Sequence, residues 1–170
     1  MDATALRELQ APLKERYKKE PGAAVITLKA RGALLDEGIS CKVETGRAIA
    51  IAGLHPATGG SGHELCSGDM LLEALVACAG VTLRAVATAY GIEIKSGNVE
   101  AEGDLDFRGT LGVDKEAPVG FRAIRVTFHL DTDASVENLD KLLATTERYC
   151  VVLQTLRKGV QAEAKIVKKR

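Results

Sequence analysis

The chain has 170 residues, a length that suits one domain with a core large enough to fold without a metal or a disulfide. Its 23 basic and 23 acidic residues cancel, which removes the global electrostatic case for a nucleic acid or an anionic membrane as partner. Aromatics make up only 4% and Trp is absent, so Ala, Val and Leu must carry the core, and four cysteines and three histidines are the notable chemical resource.

In chain order, Ala3 to Lys19 has the apolar spacing of a helix, with Leu6, Leu9 and Leu13 among charges, and Pro21-Gly22 stops it. Residues 1–22 therefore read as an N-terminal helical extension and residues 23–170 as a single domain, since no repeat, low-complexity block or linker interrupts them. Ala23–Ala30 reads as a strand, Asp36-Glu37-Gly38 as a turn, and Ile39–Glu44 with Arg47–Gly53 as a hairpin through Thr45-Gly46. A glycine-rich loop follows from His55 to His63. Ser67 to Tyr90 is then helical and apolar on most faces, which belongs in a core or an interface, and Gly91 is placed to end it.

Ile92–Phe107 alternates as a half-solvated antiparallel strand, with Val99, Ala101, Leu105 and Phe107 inward and Glu100, Glu102, Asp104 and Asp106 outward. Arg108–Gly120 is a loop, and Phe121–Leu130 repeats the strand pattern. Ser135 is a helix N-cap, the helix ends near Tyr149-Cys150, and a short helix through Leu156 stops at Lys158-Gly159. Val160–Val167 closes as a strand. The whole is an α+β domain. One small sheet covers only one face of the central helix, so a homodimer with that helix at or near the interface is expected.

The N-terminus lacks a basic stretch followed by an apolar one, and the uncharged run Ala74–Leu83 is about half of a membrane span. A cytoplasmic protein with reduced thiols is expected. Cys78 lies mid-helix among small residues, where a thiol is either a small hydrophobe or, given a positive or hydrogen-bonding environment, a thiolate nucleophile. Cys150, at the end of the later helix, is core filler or a resolving thiol, and spacing alone does not bring two sulfurs into bonding reach. His55, His63 and Cys66, with Cys41, invite a zinc reading, but their spacing matches no ligand pattern, and no metal or other cofactor is expected. Gly59-Gly60-Ser61-Gly62 before a helix could hold an anion, without the lysine or glycine spacing of a nucleotide loop.

Ser67-Gly68-Asp69-Met70-Leu71-Leu72-Glu73-Ala74-Leu75-Val76-Ala77-Cys78 resembles the motif P-x-E-L-L-L-A-A-L-x-A-C of the OsmC/Ohr family. Glu147 to Leu156 is similar to that family's second motif, written with C-P-V, and the similarity spans about Ala23 to Val167. The resemblance implies an OsmC-like fold, with antiparallel sheets wrapped around long central helices in an intertwined homodimer. It also implies a thiol-dependent peroxidase acting on organic hydroperoxides, with Cys78 peroxidatic and Cys150 resolving through a disulfide that a dithiol reductant, often a lipoyl protein, reopens. Asp69 stands where the family commonly has Glu, Gly68 replaces a proline, and Val151 replaces the proline after the second cysteine. The family's activating arginine would be Arg31, ahead of Arg47, while Arg84 points away from Cys78 on the helix. The other reading is a protein of this fold that binds a small apolar or electrophilic ligand without turnover, with Cys41 and Cys66 as bystanders in either case.

Overall fold

The computed structural model describes residues 3–34, 41–43, 52–63, 65–166 and 168, with the backbone course alone for 3–7, 9, 28–34, 41–43 and 52. The elements are α1 (Ala3–Lys19), β1 (Val25–Leu34), β2 (Cys41–Val43), β3 (Ala52–Gly53), β4 (Leu65–Cys66), α2 (Ser67–Tyr90), β5 (Ser96–Asp106), α3 (Phe107–Thr110), β6 (Phe121–Asp131), α4 (Val136–Tyr149) and α5 (Val151–Lys158). Four strands form an antiparallel sheet in the order β2-β1-β5-β6, and β3 with β4 make a separate parallel pair. This is the expected α+β architecture.

The 24 residues of α2 are the centre of the molecule. Leu72, Leu75, Val76, Ala79, Leu83 and Ala87 recur at helical spacing and are buried, packed in one core with Val99 and Ala101 of β5 and Leu142 of α4. By length and composition α2 could also cross a membrane, but its apolar stripe here meets protein. Gly91 ends it in the left-handed region at φ 66°, and its N–H closes on the Ala87 and Thr88 carbonyls. Of α1, Tyr17 enters the same core and donates its hydroxyl to the Ala57 carbonyl at 2.7 Å, fastening the helix to the loop before α2.

Several expectations change in three dimensions. The expected outward face of β5 fails at Asp106, which is 1% exposed. A bulge against β6 skips Arg122 between the pairs Asp104–Ala123 and Leu105–Phe121, and the chain turns into α3 directly after Asp106. Asp106 then caps α3 by accepting the Arg108 N–H at 3.1 Å, and it takes the Arg108 guanidinium at 2.6–3.2 Å. The expected strand Val160–Val167 carries no strand over the described residues, and Val160 and Ile166 are exposed. Its alternation satisfies the strand pattern, yet a strand needs a ladder partner, and none of the described residues pairs with it. The hairpin expected for 39–53 resolves differently where it can be seen, since β3 pairs with β4 and not with β2. The Asp36-Glu37-Gly38 turn, Thr45-Gly46 and Arg47 lie outside the described residues.

Candidate active site

Cys150 interrupts what would otherwise be one long helix. With φ −69° and ψ 105° it ends α4 and starts α5, so the first N–H groups of α5 have no partner within their own helix. Two contacts hold the break in place. Gln154 donates to the Glu147 carbonyl at 2.7 Å, and Arg157 grips the Glu147 carboxylate with two bonds of 2.7 and 3.1 Å. The free N–H groups point at sulfur.

Cys78, half-buried on α2, receives the Val152 and Val151 N–H groups and the Cys150 S–H. The Thr82 hydroxyl, which donates to the Cys78 carbonyl at 2.7 Å, also lies within hydrogen-bonding reach of the sulfur. Burial pushes the Cys78 thiol up, but the donors, Val152 first among them, outweigh burial and hold it below its ordinary value. Cys150 goes the other way. It is fully buried, and burial together with the neighbouring Cys78 sulfur pushes its thiol up to about 11. The two sulfurs thus form one hydrogen-bonded pair in which the Cys78 thiol is the more acidic and Cys150 holds its proton the more tightly. A helix N-terminus supplies the positive field that a lysine or arginine supplies elsewhere.

The other expected site residues are placed elsewhere. Asp69 stands in the first turn of α2, nine residues before Cys78, a rise of about 13 Å along the helix. Its electrostatic neighbour is His55, whose Nδ1 accepts the Ala57 N–H at 3.0 Å and whose ring stacks on Phe107 at 5.0 Å. Burial raises the Asp69 carboxyl and lowers the His55 imidazole, and their mutual attraction only offsets part of this. Arg31 sits opposite Glu100 in the β1–β5 register, and its side chain is outside the described residues, as is that of Cys41. Arg84 donates to the Ile94 carbonyl at 3.0 Å, bracing the turn after α2. Among the described residues no three His, Cys, Asp or Glu side chains converge as metal ligands. The glycine-rich loop has a packing reason: a Cβ on Gly60 would lie 1.6 Å from the Leu54 carbonyl oxygen.

Sequence reasoning did not anticipate the α5 amides or Thr82. Thr82 follows Cys78 by four, the one visible signal, whereas the amides carry no side-chain signature at all. One prediction isolates them. Val151→Pro removes one N–H donor at the first position of α5, where proline is tolerated, and the preceding Cys150 already has the extended backbone that proline requires. The Val151 side chain is exposed, so the core is untouched. Alkylation of Cys78 across pH is expected to shift upward, with the rate at a fixed pH below the transition falling about threefold to tenfold and helix content unchanged. An unshifted profile removes the Val151 amide from the account.

A family model described as "OsmC-like protein" matches residues 60–165. No curated protein sequence matches the chain. Among solved structures, an OsmC-like hydroperoxide resistance protein from Jannaschia sp. CCS1 superposes with a TM-score of 0.57 at 15% identity, covering 84% of this chain and 91% of that one. An OsmC-like protein from Mycoplasma pneumoniae gives 0.55 at 16% identity, covering 79% and 86%. At these identities the likeness is one of fold.

Proposed function

Because the chain belongs to the OsmC-like protein family, we propose that it is a thiol-dependent peroxidase that reduces organic hydroperoxides through Cys78 and Cys150. The observation that carries this is the hydrogen-bonded pair of sulfurs with opposed acidities. The Cys78 thiolate attacks the terminal oxygen of the hydroperoxide, the O–O bond breaks, and the alkoxide leaves as an alcohol after taking a proton. Cys78 is left as a sulfenic acid. The buried Cys150 thiol then attacks that sulfur, its proton leaves with the displaced hydroxyl as water, and a Cys78–Cys150 disulfide forms. A dithiol reductant, for which a lipoyl group is one chemical form, returns both thiols and leaves as its own disulfide.

The apolar surroundings favour an organic over an inorganic peroxide. A cavity of about 540 Å³ lies against Cys150 and Ala79, walled mainly by aliphatic and aromatic side chains. The working unit in this proposal is a cytoplasmic homodimer. Leu71, Val81 and Tyr90 on α2 stay exposed in the single chain, and a second copy would cover them. Arg31 and Asp69 remain candidates for orienting substrate, with Asp69 too far along α2 to touch Cys78 of its own chain.

The test is a single turnover. One equivalent of cumene hydroperoxide added to the reduced protein should consume both thiols within the mixing of one equivalent, and peptide mapping should find Cys78 joined to Cys150. Thiols that survive the treatment, with the peroxide intact, would leave only the ligand-binding reading.

A further inference from the structure

The first helix is fastened to the domain through one short turn, and a histidine organises that turn. His55 caps the helical turn Pro56–Thr58, its Nδ1 accepting the Ala57 N–H at 3.0 Å. Its carbonyl accepts the Thr58 and Gly60 N–H groups at 2.8 and 3.1 Å and the Thr58 hydroxyl at 2.9 Å. α1 holds the same turn by two carbonyls: Tyr17 donates to that of Ala57 at 2.7 Å, and Gln10 to that of Thr58 at 3.2 Å. The other support of α1 is α3, whose Phe107 ring stacks on the His55 imidazole at 5.0 Å. Both supports meet at one side chain.

The bond to Nδ1 needs a lone pair. A neutral imidazole with its proton on Nε2 supplies one, whereas an imidazolium turns an N–H toward the Ala57 N–H. Swinging the ring out relieves that clash and gives up the cap and the stack on Phe107 together. The charged group facing the ring is Asp69 of α2, and burial opposes the imidazolium more than this carboxylate favours it. From α1 the turn receives the Gln10 amide and the Tyr17 phenol, which burial keeps protonated. On α3, Arg108 is engaged by Asp106, and the Cys66 thiol shares a cavity of about 380 Å³ with His55.

We propose that His55 is a pH-operated latch for α1: neutral, it caps the turn that Tyr17 and Gln10 grip, and protonated, it frees the turn and lets the helix leave the core. The sign follows from the two environments. A released imidazole has the ordinary histidine affinity for a proton and the docked one a lower affinity, so acid favours release. The latch is complete above a pH of about 6.5 and weakens as pH falls below it. α1 and His55 both precede the matched residues 60–165, so the device stands apart from the peroxidase reading.

The test is amide hydrogen exchange of the full chain at pH 7.5 and 5.5, with rates corrected for the intrinsic effect of pH. Protection of α1 is expected to fall about fivefold at the lower pH while that of α4 holds, which separates release from global unfolding. The fall should vanish in His55→Asn, whose side-chain oxygen can accept the Ala57 N–H at either pH, and persist in His63→Asn and His129→Asn. Tyr17→Phe should lower α1 protection severalfold already at pH 7.5. Constant protection of α1 in the parent, a parallel fall in α4, a fall retained in His55→Asn or a fall lost in either other histidine variant overturns the latch. Unchanged protection in Tyr17→Phe overturns it as well, because the turn is then not what holds the helix.

Discussion

Cys78→Ser is expected to lose turnover of cumene hydroperoxide with a dithiol reductant by at least about 10³-fold. The reason lies in ionisation and in polarizability. The α5 amides and the Cys150 S–H lower the Cys78 thiol and so favour its anion, whereas a serine hydroxyl in the same contacts stays protonated. The oxygen of serine also cannot be oxidised to a sulfenate equivalent, so no bond to Cys150 can follow. The substitution is nearly isosteric and leaves the donors in place, so the fold should be retained. Cys150→Ser makes the complementary case: it should consume one equivalent of peroxide and stop, with a trappable sulfenic acid on Cys78. Equal steady-state activity in Cys78→Ser sinks the peroxidase proposal, and turnover by Cys150→Ser with the dithiol reductant at the parent's rate removes the resolving role.

Asp106→Ala is expected to lower the free energy of unfolding by about 3 kcal/mol. It removes the α3 cap and leaves the Arg108 guanidinium, among the described residues, with Asp114 at 3.4 Å as its remaining ionic partner. Arg108 is about one-fifth exposed, so water recovers part of the loss. The sign with pH follows from the direction of the shift. The hydrogen bonds from Arg108 hold the Asp106 carboxyl below its ordinary value against the opposing effect of burial. Its contribution is therefore complete above the unfolded carboxyl pKa of about 3.9 and is lost as pH falls through the lower folded value. Asp104 adds to the same acid limb, its carboxyl drawn down to about 2 by Arg125 and Thr27. Urea unfolding should show a parent-to-variant difference that is flat from about pH 5 to 8 and shrinks below about pH 4. A difference that persists unchanged at pH 2 would mean that the ion pair is not its origin.

Much of the fold was readable from the chain because it is encoded locally. The extent of α2 follows from an apolar run closed by Gly91, and the start of α4 from Ser135, whose side chain accepts the Asn138 N–H at 3.3 Å. Asp106 was not readable, since a period-two alternation describes one strand and carries no information on where its neighbour's register slips. Val160–Val167 shows the same limit from the other side: alternation is necessary for a strand, and only a partner makes it one.

The site divides along the same line. The sequence by itself determined that the chain is a neutral, aromatic-poor α+β domain of 170 residues with Cys78 on its most apolar helix and Cys150 at the close of a later one. Composition, periodicity and motif spacing are properties of neighbouring residues, and they survive without a fold. Only the tertiary structure decided that the two sulfurs meet, that backbone amides of α5 acidify Cys78, and that Asp69 turns to His55 instead. Amides are the same in every residue, so their effect depends wholly on where α5 begins. Thiol acidity is set by distance and burial, which exist only once residues 72 positions apart in sequence are packed together.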